Sequence, residues 1–343
     1  MWKTIGQKRT IELLQAGLKR GAQVHAYLFV GPAHVGKMTL ARDLACALNC
    51  TSEYRPCGEC PSCLKILAGK HADIREIGLG KLPGEAKTRT EISIEDVRDL
   101  QHAANLPPYE GKCKVFIIDG AEWLSVEAAN CLLKTLEEPL PGVVFILLSA
   151  NEQLLLSTVV SRCQHIEVVP LPSVEIEQVL IEKHGMTSEK ARLLARLSHG
   201  CLGWAIAATD SGILDRHSDF IDGLVETIDG DNEVRFAYAA QLATEFSQNR
   251  ESVQEKLELW LDWWRDLMLV KIGLGDIVTN IDRLEILIGM SGDLDMVRIR
   301  SVIECIQETS QQLKLNANAR LALEVMMLGL PESSQKSEKA KSR

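Results

Sequence analysis

The chain has no long uncharged apolar segment and no excess of positive charge. Its most apolar stretches are short or interrupted by charged residues, as in residues 260–271, whereas a membrane helix needs about 20 consecutive apolar residues. Residues 1–6 contain no apolar core of a secretory signal. The formal net charge of −9 disfavours a protein that coats nucleic acid unaided, because such binding requires clustered Lys and Arg. We therefore expect a cytoplasmic protein that has no contact with a membrane.

The first half of the chain alternates strand and helix patterns. Short apolar runs predict buried strands, and apolar residues at helical spacing predict the helices between them. This alternation predicts an α/β fold with a parallel sheet covered on both faces. The strands are expected at 24–30, 73–77, 114–119 and 143–149, and the helices at 38–48, 94–104 and 125–138. Beyond residue 172 the periodicity is helical throughout, including 253–272, 296–315 and 317–328.

Residues 31–37 read Gly-Pro-Ala-His-Val-Gly-Lys, the pattern of a phosphate-binding loop. In this pattern Gly31 and Gly36 let backbone N–H groups surround the phosphates, Lys37 reaches the terminal ones, and the next residue supplies a hydroxyl to magnesium. Here that residue is Met38, whose thioether does not hold a hard cation. Thr39 is a poor substitute, because one step along a helix turns the side chain by about 100°.

Asp119 ends an apolar strand downstream of the loop, where an ATPase places the acid that orients magnesium. The simpler alternative is an aspartate that caps the next turn. Gly120 follows, where an active enzyme needs a second acid to polarise water. Glu122 is expected to face elsewhere. Whether Gly31, Gly36, Lys37 and Asp119 still hold ATP stays open, because residues 32–34 could plug the loop.

Four of the ten cysteines lie within fourteen residues, at Cys50, Cys57, Cys60 and Cys63. Four thiolates suit one tetrahedral zinc ion, and clustered cysteines in a reducing cell have few other uses. An iron–sulfur cluster is the alternative, although it implies a redox role that nothing else in the sequence supports. We expect structural Zn²⁺ held by a module of residues 50–63.

Two further motifs carry a family resemblance. Residues 132–139 read Leu-Leu-Lys-Thr-Leu-Glu-Glu-Pro, and Ser161-Arg162-Cys163 follows. With residues 25–29 before the loop and the four cysteines after it, they resemble the bacterial replicative clamp-loader subunits of the AAA+ class. The resemblance covers about residues 1–330 and is strong to about residue 170.

Within that family, the losses at Met38 and Gly120 resemble the delta-prime type rather than the ATP-hydrolysing gamma/tau type. Gly203 stands where active members carry a nucleotide-sensing arginine. The resemblance implies an AAA+ P-loop parallel sheet with a zinc insertion, followed by an all-α lid and an all-α collar. The expected bounds are 1–168 for the nucleotide-binding-like domain, 169–210 for the lid and 211–330 for the collar, with a disordered tail at 331–343.

By the same resemblance, the chain is expected to be a non-hydrolysing subunit of the DNA polymerase III clamp loader, which places the sliding clamp on primed DNA. Its partners would be the gamma/tau and delta subunits, the sliding clamp and, through the complex, DNA. We expect no ATPase activity from the isolated chain, which would be a component of a DNA-directed DNA polymerase holoenzyme.

Arg162 would act as an arginine finger in a neighbouring subunit's ATP site. Phosphoryl transfer spreads negative charge over the γ-phosphoryl oxygens, and such an arginine accelerates it by about 10³ to 10⁵. The alternative is an exposed arginine in a surface ion pair worth about 0–1 kcal/mol.

Two other functions fit the sequence. One is a working AAA+ ATPase of the gamma/tau type that tolerates Met38 and Gly120, and the other is a zinc-dependent DNA-binding module. A further ambiguity concerns Trp260, Trp263 and Trp264, which suit either core packing or a subunit interface.

Overall fold

The computed structural model describes residues 1–20, 24–79, 90–209, 212–315 and 317–331. The described chain divides into two units. One comprises Met1–Ile176 and His199–Trp204, and the other comprises Glu177–Ser198 and the described residues from Ala205 onward. The three-domain scheme predicted above stays a prediction, and residues 332–343 of the predicted tail lie outside the described residues.

The first unit is built on a parallel sheet of five strands in the order β2-β3-β4-β1-β5. The strands are β1 Ala26–Val30, β2 Ile74–Ile77, β3 Lys114–Asp119, β4 Val143–Ser149 and β5 Gln164–Glu167. The helices are α1 Lys8–Arg20, α2 Lys37–Asn49, α3 Pro61–Leu67, α4 Ile94–Ala104, α5 Val126–Glu137 and α6 Ser157–Val160. The parallel sheet and the helices around it confirm the predicted fold class.

Alternating side chains of the central strands fill a core on each face of the sheet. On one face Phe29, Ile117 and Ile146 pack with α2 and the cysteine module. On the other face Leu28, Ile118 and Leu147 pack with α4 and α5. Because both faces are buried, the strands read as near-continuous apolar runs, which made them recognisable in the sequence.

Four of the strands and helices named above were not predicted: β5 and the helices α1, α3 and α6. The edge strand β5 is four residues long, and only Ile166 in it is buried, so its sequence carries little strand signal. The amphipathic helix α1 also escaped prediction, although it buries Leu14 against the sheet core.

The second unit is helical throughout its described residues. The boundary between the units falls within α7 (Ser173–His184) and α9 (Leu202–Ala208). The remaining helices are α8 Ser188–Leu197, α10 Ile213–Asp229, α11 Asn232–Gln248, α12 Arg250–Lys271, α13 Leu284–Asp293, α14 Met296–Lys314 and α15 Ala319–Leu328. Trp260, Trp263 and Trp264 of α12 are fully buried in the core that α10–α15 form, which decides in favour of core packing.

Candidate nucleotide site, arginine finger and metal centre

The phosphate loop leaves the sheet at the carboxyl end of β1 and leads into α2. The local backbone geometry requires glycine at both glycine positions of this loop. A Cβ at Gly31 would lie 2.1 Å from the carbonyl oxygen of Val168, and Gly36 has a φ of 111°. Such a loop at a helix N-terminus has the backbone shape of an anion site.

Lys37 is 9% exposed and points back into its own loop. Its Nζ donates hydrogen bonds to the carbonyl oxygens of Gly31 at 2.6 Å and Pro32 at 2.7 Å. Burial lowers the pKa of Lys37, while the negative charges of Glu122 and Asp119 act in the opposite direction. A phosphate group would therefore have to compete with two hydrogen bonds that the loop itself provides.

The side chain of Met38, the residue after the lysine, is turned toward the protein interior. Met38 is partly buried and packs against the apolar core on the α2 face of the sheet, whereas Thr39 is exposed. Met38 thus contributes packing where an active enzyme has a magnesium ligand, and the Thr39 side chain is not packed into the core beside it.

Asp119 ends β3 at the same edge of the sheet as the loop. Asp119 is exposed as a whole residue, but partial burial of its carboxylate raises its pKa. The positive charge of Lys37 offsets part of this increase in the pKa. Gly120 has a φ of 78°, and a Cβ there would lie 2.7 Å from Cδ1 of Trp123. A second acid at Gly120 would therefore require both a strained backbone and movement of the Trp123 ring.

Glu122 does not face away, contrary to the expectation from its spacing. Its Oε1 accepts a hydrogen bond from the backbone N–H of Ala150 at 2.9 Å, just beyond the end of β4. Its Oε2 is buried and has no hydrogen-bond partner among the described residues. The charge of Glu122 also acts on Lys37, so this carboxylate belongs to the surroundings of the phosphate loop.

Gly203 lies against the phosphate loop. Its N–H donates to the carbonyl oxygen of His34 at 2.9 Å, and a Cβ at Gly203 would lie 2.7 Å from the same oxygen. His34 itself has a φ of 60°, an unusual conformation for a residue with a side chain. An arginine at position 203 would therefore clash with the loop backbone unless one of the two segments moved.

Arg162 lies after α6 and pairs with the end of α5. Its Nη2 donates to Oε1 of Glu137 at 2.6 Å, and its Nη1 donates to the carbonyl oxygen of Thr158 at 2.8 Å. A longer contact of 3.3 Å joins Nη1 to Oγ of Ser161. The side chains of Arg162 and Glu137 are 34% and 49% exposed, so the guanidinium is held but remains accessible.

The sheet separates Arg162 from the chain's own phosphate loop. Arg162 precedes β5, whose first residue, Gln164, pairs with Tyr27, while β1 ends at Val30 opposite Glu167. Arg162 therefore lies at the amino edge of the parallel sheet, whereas Lys37 and Asp119 follow strands at the carboxyl edge. The four-residue strand between the two edges spans about 10 Å.

The four predicted cysteine ligands come together at one point. Their sulfur atoms all lie within 4.8 Å of one another, and the Cys50–Cys60 and Cys57–Cys63 pairs are each separated by 4.0 Å. Four sulfurs at about 2.3 Å from one ion would be about 3.8 Å apart, so the cluster fits a tetrahedral metal ion.

The backbone prepares two of these thiols for a cation. Burial raises the pKa of Cys60, but N–H groups of Thr51 and Cys63, together with hydrogen bonds to the thiols of Cys63 and Cys57, outweigh it and bring the pKa to about 6. N–H groups of Glu59 and Cys60 lower the pKa of Cys57, and burial raises the pKa of Cys63. Two of the four cysteines are fixed by helix ends, because Cys50 lies at the carboxyl end of α2 and Cys60 lies at the start of α3 as its N-cap.

The described helices include none that is long and apolar enough to cross a membrane.

Comparison with known proteins assigns the chain to a family. A family model described as "DNA polymerase III, delta subunit" matches residues 6–172. The delta′ subunit of DNA polymerase III from Bacillus subtilis (strain 168) is 26% identical over an alignment of 340 positions that covers 96% of this chain and 98% of that protein. These matches support a member of the clamp-loader family of bacterial DNA polymerase III. The resemblance drawn from the two sequence motifs is thereby confirmed at the level of the family.

Sequence identity with a tau subunit is higher than with the delta′ subunit, but over a shorter region. The tau subunit of DNA polymerase III from Escherichia coli (strain K12) is 35% identical over an alignment of 246 positions that covers 68% of this chain and 37% of that protein. The chain spans about a third of the length of the first tau subunits it matches. A gamma subunit-related protein from Thermotoga maritima has a TM-score of 0.41 and 15% identity, with 92% of this chain and 97% of that chain covered, and so low a similarity adds nothing to the assignment.

Two acidic residues near the functional groups were not predicted from the sequence. Glu137 was recognised as part of a motif, but its contact with Arg162 was not foreseen. Glu122 was expected to point elsewhere. For Glu122 the only available signal was its position close to Asp119 and Gly120 in the sequence, and Glu137 lies in a different motif from Arg162. Both pairings depend on the tertiary fold.

Proposed function

We propose that this chain is a non-hydrolysing subunit of a clamp loader and completes a neighbouring subunit's ATP site with Arg162. The observation that carries the proposal is the position of Arg162, accessible at the amino edge of the sheet and opposite the chain's own phosphate loop. From there the guanidinium cannot act on a nucleotide held by Lys37. It is available to a site on another chain, where it would stabilise charge that develops on the γ-phosphoryl oxygens.

The condition of the chain's own site supports the non-hydrolysing role. Met38 packs into the core, Gly120 offers no acid, and Lys37 is hydrogen-bonded by loop carbonyls. Gly31, Gly36, Lys37 and Asp119 then form a degenerate nucleotide site. Loss of the magnesium ligand and of the water-polarising acid removes two separate contributions to phosphoryl transfer.

The cysteine cluster fits a structural zinc ion, held by Cys50, Cys57, Cys60 and Cys63. Zinc with four thiolates and no open position supplies folding stability rather than chemistry. This module would stabilise the segment between α2 and β2, where the described chain has few other apolar residues to bury.

The proposed partners are those of a clamp loader: gamma/tau and delta subunits, the sliding clamp and, through the complex, primed DNA. The proposed location is the cytoplasm. Similarity to DNA polymerase III subunits over most of the chain supports these assignments.

A working ATPase of the gamma/tau type is the second candidate function. The 35% identity with a tau subunit, compared with 26% for the delta′ subunit, favours it. Such an enzyme would have to bind magnesium without a hydroxyl at position 38 and activate water without an acid at position 120.

Two measurements decide between these functions. The isolated chain should show no ATP turnover, whereas turnover on the order of 1 s⁻¹ would establish the working ATPase. In a complex reconstituted with gamma/tau and delta subunits, Arg162→Ala should lower single-turnover hydrolysis at the neighbouring site by about 10³ to 10⁵. Unchanged hydrolysis by that complex would refute the proposed finger role.

A further inference from the structure

We propose that Glu137 is a positioning residue for Arg162 and holds its guanidinium in the orientation required at the neighbouring ATP site. The proposal rests on the proposed function, in which Arg162 acts on a nucleotide bound by another subunit. Glu137 itself would touch neither the nucleotide nor the metal.

The fold brings these two residues together from separate segments. Glu137 is the last residue of α5, which is followed by a turn into the amino end of β4. Arg162 follows α6 and precedes the amino end of β5. Because the sheet is parallel, both residues reach the same edge, and Nη2 of Arg162 lies 2.6 Å from Oε1 of Glu137.

The guanidinium is oriented from two directions. Glu137 binds Nη2, while the carbonyl oxygen of Thr158 and Oγ of Ser161 bind Nη1. Within the described residues these three contacts occupy three of the five N–H donors of an arginine. Two donors are left for a pair of phosphate oxygens, the kind of contact for which a planar guanidinium is suited.

Stability alone does not account for this arrangement. An ion pair whose side chains are 34% and 49% exposed contributes little to folding, because water screens it and ordering two long side chains costs entropy. Ordering Arg162 before it meets the nucleotide is useful for a different reason. A side chain that is already oriented loses less rotational freedom when the transition state forms.

Glu138 provides a matched control beside Glu137. It has the same charge, it is exposed, and among the described residues it has no ion pair or side-chain hydrogen bond. Glu137→Gln and Glu138→Gln therefore change the net charge of the same surface equally, but only the first weakens the bond to Arg162.

The test compares four full-length variants in the reconstituted complex: Glu137→Gln, Glu138→Gln, Arg162→Ala and the double variant Glu137→Gln/Arg162→Ala. ATP hydrolysis at the neighbouring site gives kcat and KM, and thermal unfolding of each purified chain reports folding. We expect Glu137→Gln to lower kcat about three- to tenfold with KM unchanged, and Glu138→Gln to match the parent protein. In the Arg162→Ala background, Glu137→Gln should have no further effect, because a positioning residue acts only through its partner.

The failures of the two proposals are distinguishable. If Arg162→Ala leaves hydrolysis unchanged, the finger role itself is wrong. If Arg162→Ala abolishes hydrolysis while Glu137→Gln behaves like Glu138→Gln or raises kcat, the finger stands and the positioning role of Glu137 is overturned. A further decrease in kcat when Glu137→Gln is added to the Arg162→Ala background would also overturn the positioning role.

Discussion

The ammonium group of Lys37 lies 2.6 Å from the carbonyl oxygen of Gly31, six residues earlier in the same loop. The lysine and the first glycine of a phosphate-binding pattern are thus hydrogen-bonded to each other. Since the carbonyl oxygen of Pro32 accepts a second bond from the same Nζ, the buried ammonium group of Lys37 is hydrogen-bonded within the loop.

This pairing predicts the behaviour of Lys37→Met. Methionine keeps the apolar stem, and the loss of two hydrogen bonds is offset by the removal of a buried charge, so the free energy of unfolding should change by no more than about 1 kcal/mol. ATP hydrolysis by the reconstituted complex should stay within about twofold of the parent, because the proposed function assigns no turnover to the chain's own site. A loss of more than tenfold in that assay would point to the working ATPase.

Gly203 is expected to tolerate no side chain without rearrangement. Gly203→Ala should lower the free energy of unfolding by about 1–3 kcal/mol, because the new Cβ would lie 2.7 Å from the backbone oxygen of His34. Gly17→Ala in α1 is the control. Its Cβ would meet nothing within 4 Å, so alanine should stabilise the helix by up to about 1 kcal/mol. Urea unfolding of both variants checks the prediction, and equal effects would contradict it.

The cysteine cluster should lose its metal when one ligand is replaced. Cys60→Ser is expected to abolish stoichiometric zinc and to lower the free energy of unfolding by more than about 2 kcal/mol, since structural zinc supplies on the order of 10 kcal/mol. Cys131→Ser is the control, because a serine hydroxyl can keep the 3.2 Å contact with Oε1 of Gln101. Elemental analysis and thermal unfolding measure both effects, and zinc retained by Cys60→Ser would argue against the four-thiolate site.

His217 should make the stability depend on pH. Burial lowers its pKa in the folded chain, while its hydrogen bond with Asn280 acts in the opposite direction. The unfolded chain therefore binds more protons as pH falls through about 6.5, and the free energy of unfolding should decrease on acidification. His217→Gln keeps a donor for Asn280 and should reduce this decrease between pH 7.5 and 5.5. Urea unfolding across that range tests it, with the exposed His184→Gln as control. Identical pH profiles for the parent and His217→Gln would refute the assignment.

Strands and helices could be predicted where neighbouring residues in the sequence carry the pattern that identifies them. The strands Lys114–Asp119 and Val143–Ser149 have the predicted bounds, because continuous apolar runs identify strands buried on both faces. The helix from Ile94 to Ala104 also begins as predicted, since Ser93 and Asp96 form a reciprocal capping box. The short strand β5 had no such signal, as it is mostly exposed and lies at the sheet edge.

The sequence by itself determined which chemical groups are missing from the nucleotide site. A methionine at position 38 and a glycine at position 120 lack the required oxygen atoms in any fold, so that inference needs no coordinates. It also singled out the four cysteines that come together in the structure, because four thiols within fourteen residues can reach one another through local structure alone.

Only the tertiary structure decided how the remaining groups are paired. Arg162 and Glu137 are 25 residues apart, and they meet because parallel strands bring the ends of α5 and α6 to one edge of the sheet. Gly203 meets His34, and Glu122 meets Ala150, for similar reasons. Such contacts depend on the packing of whole elements, which no local pattern of residues encodes.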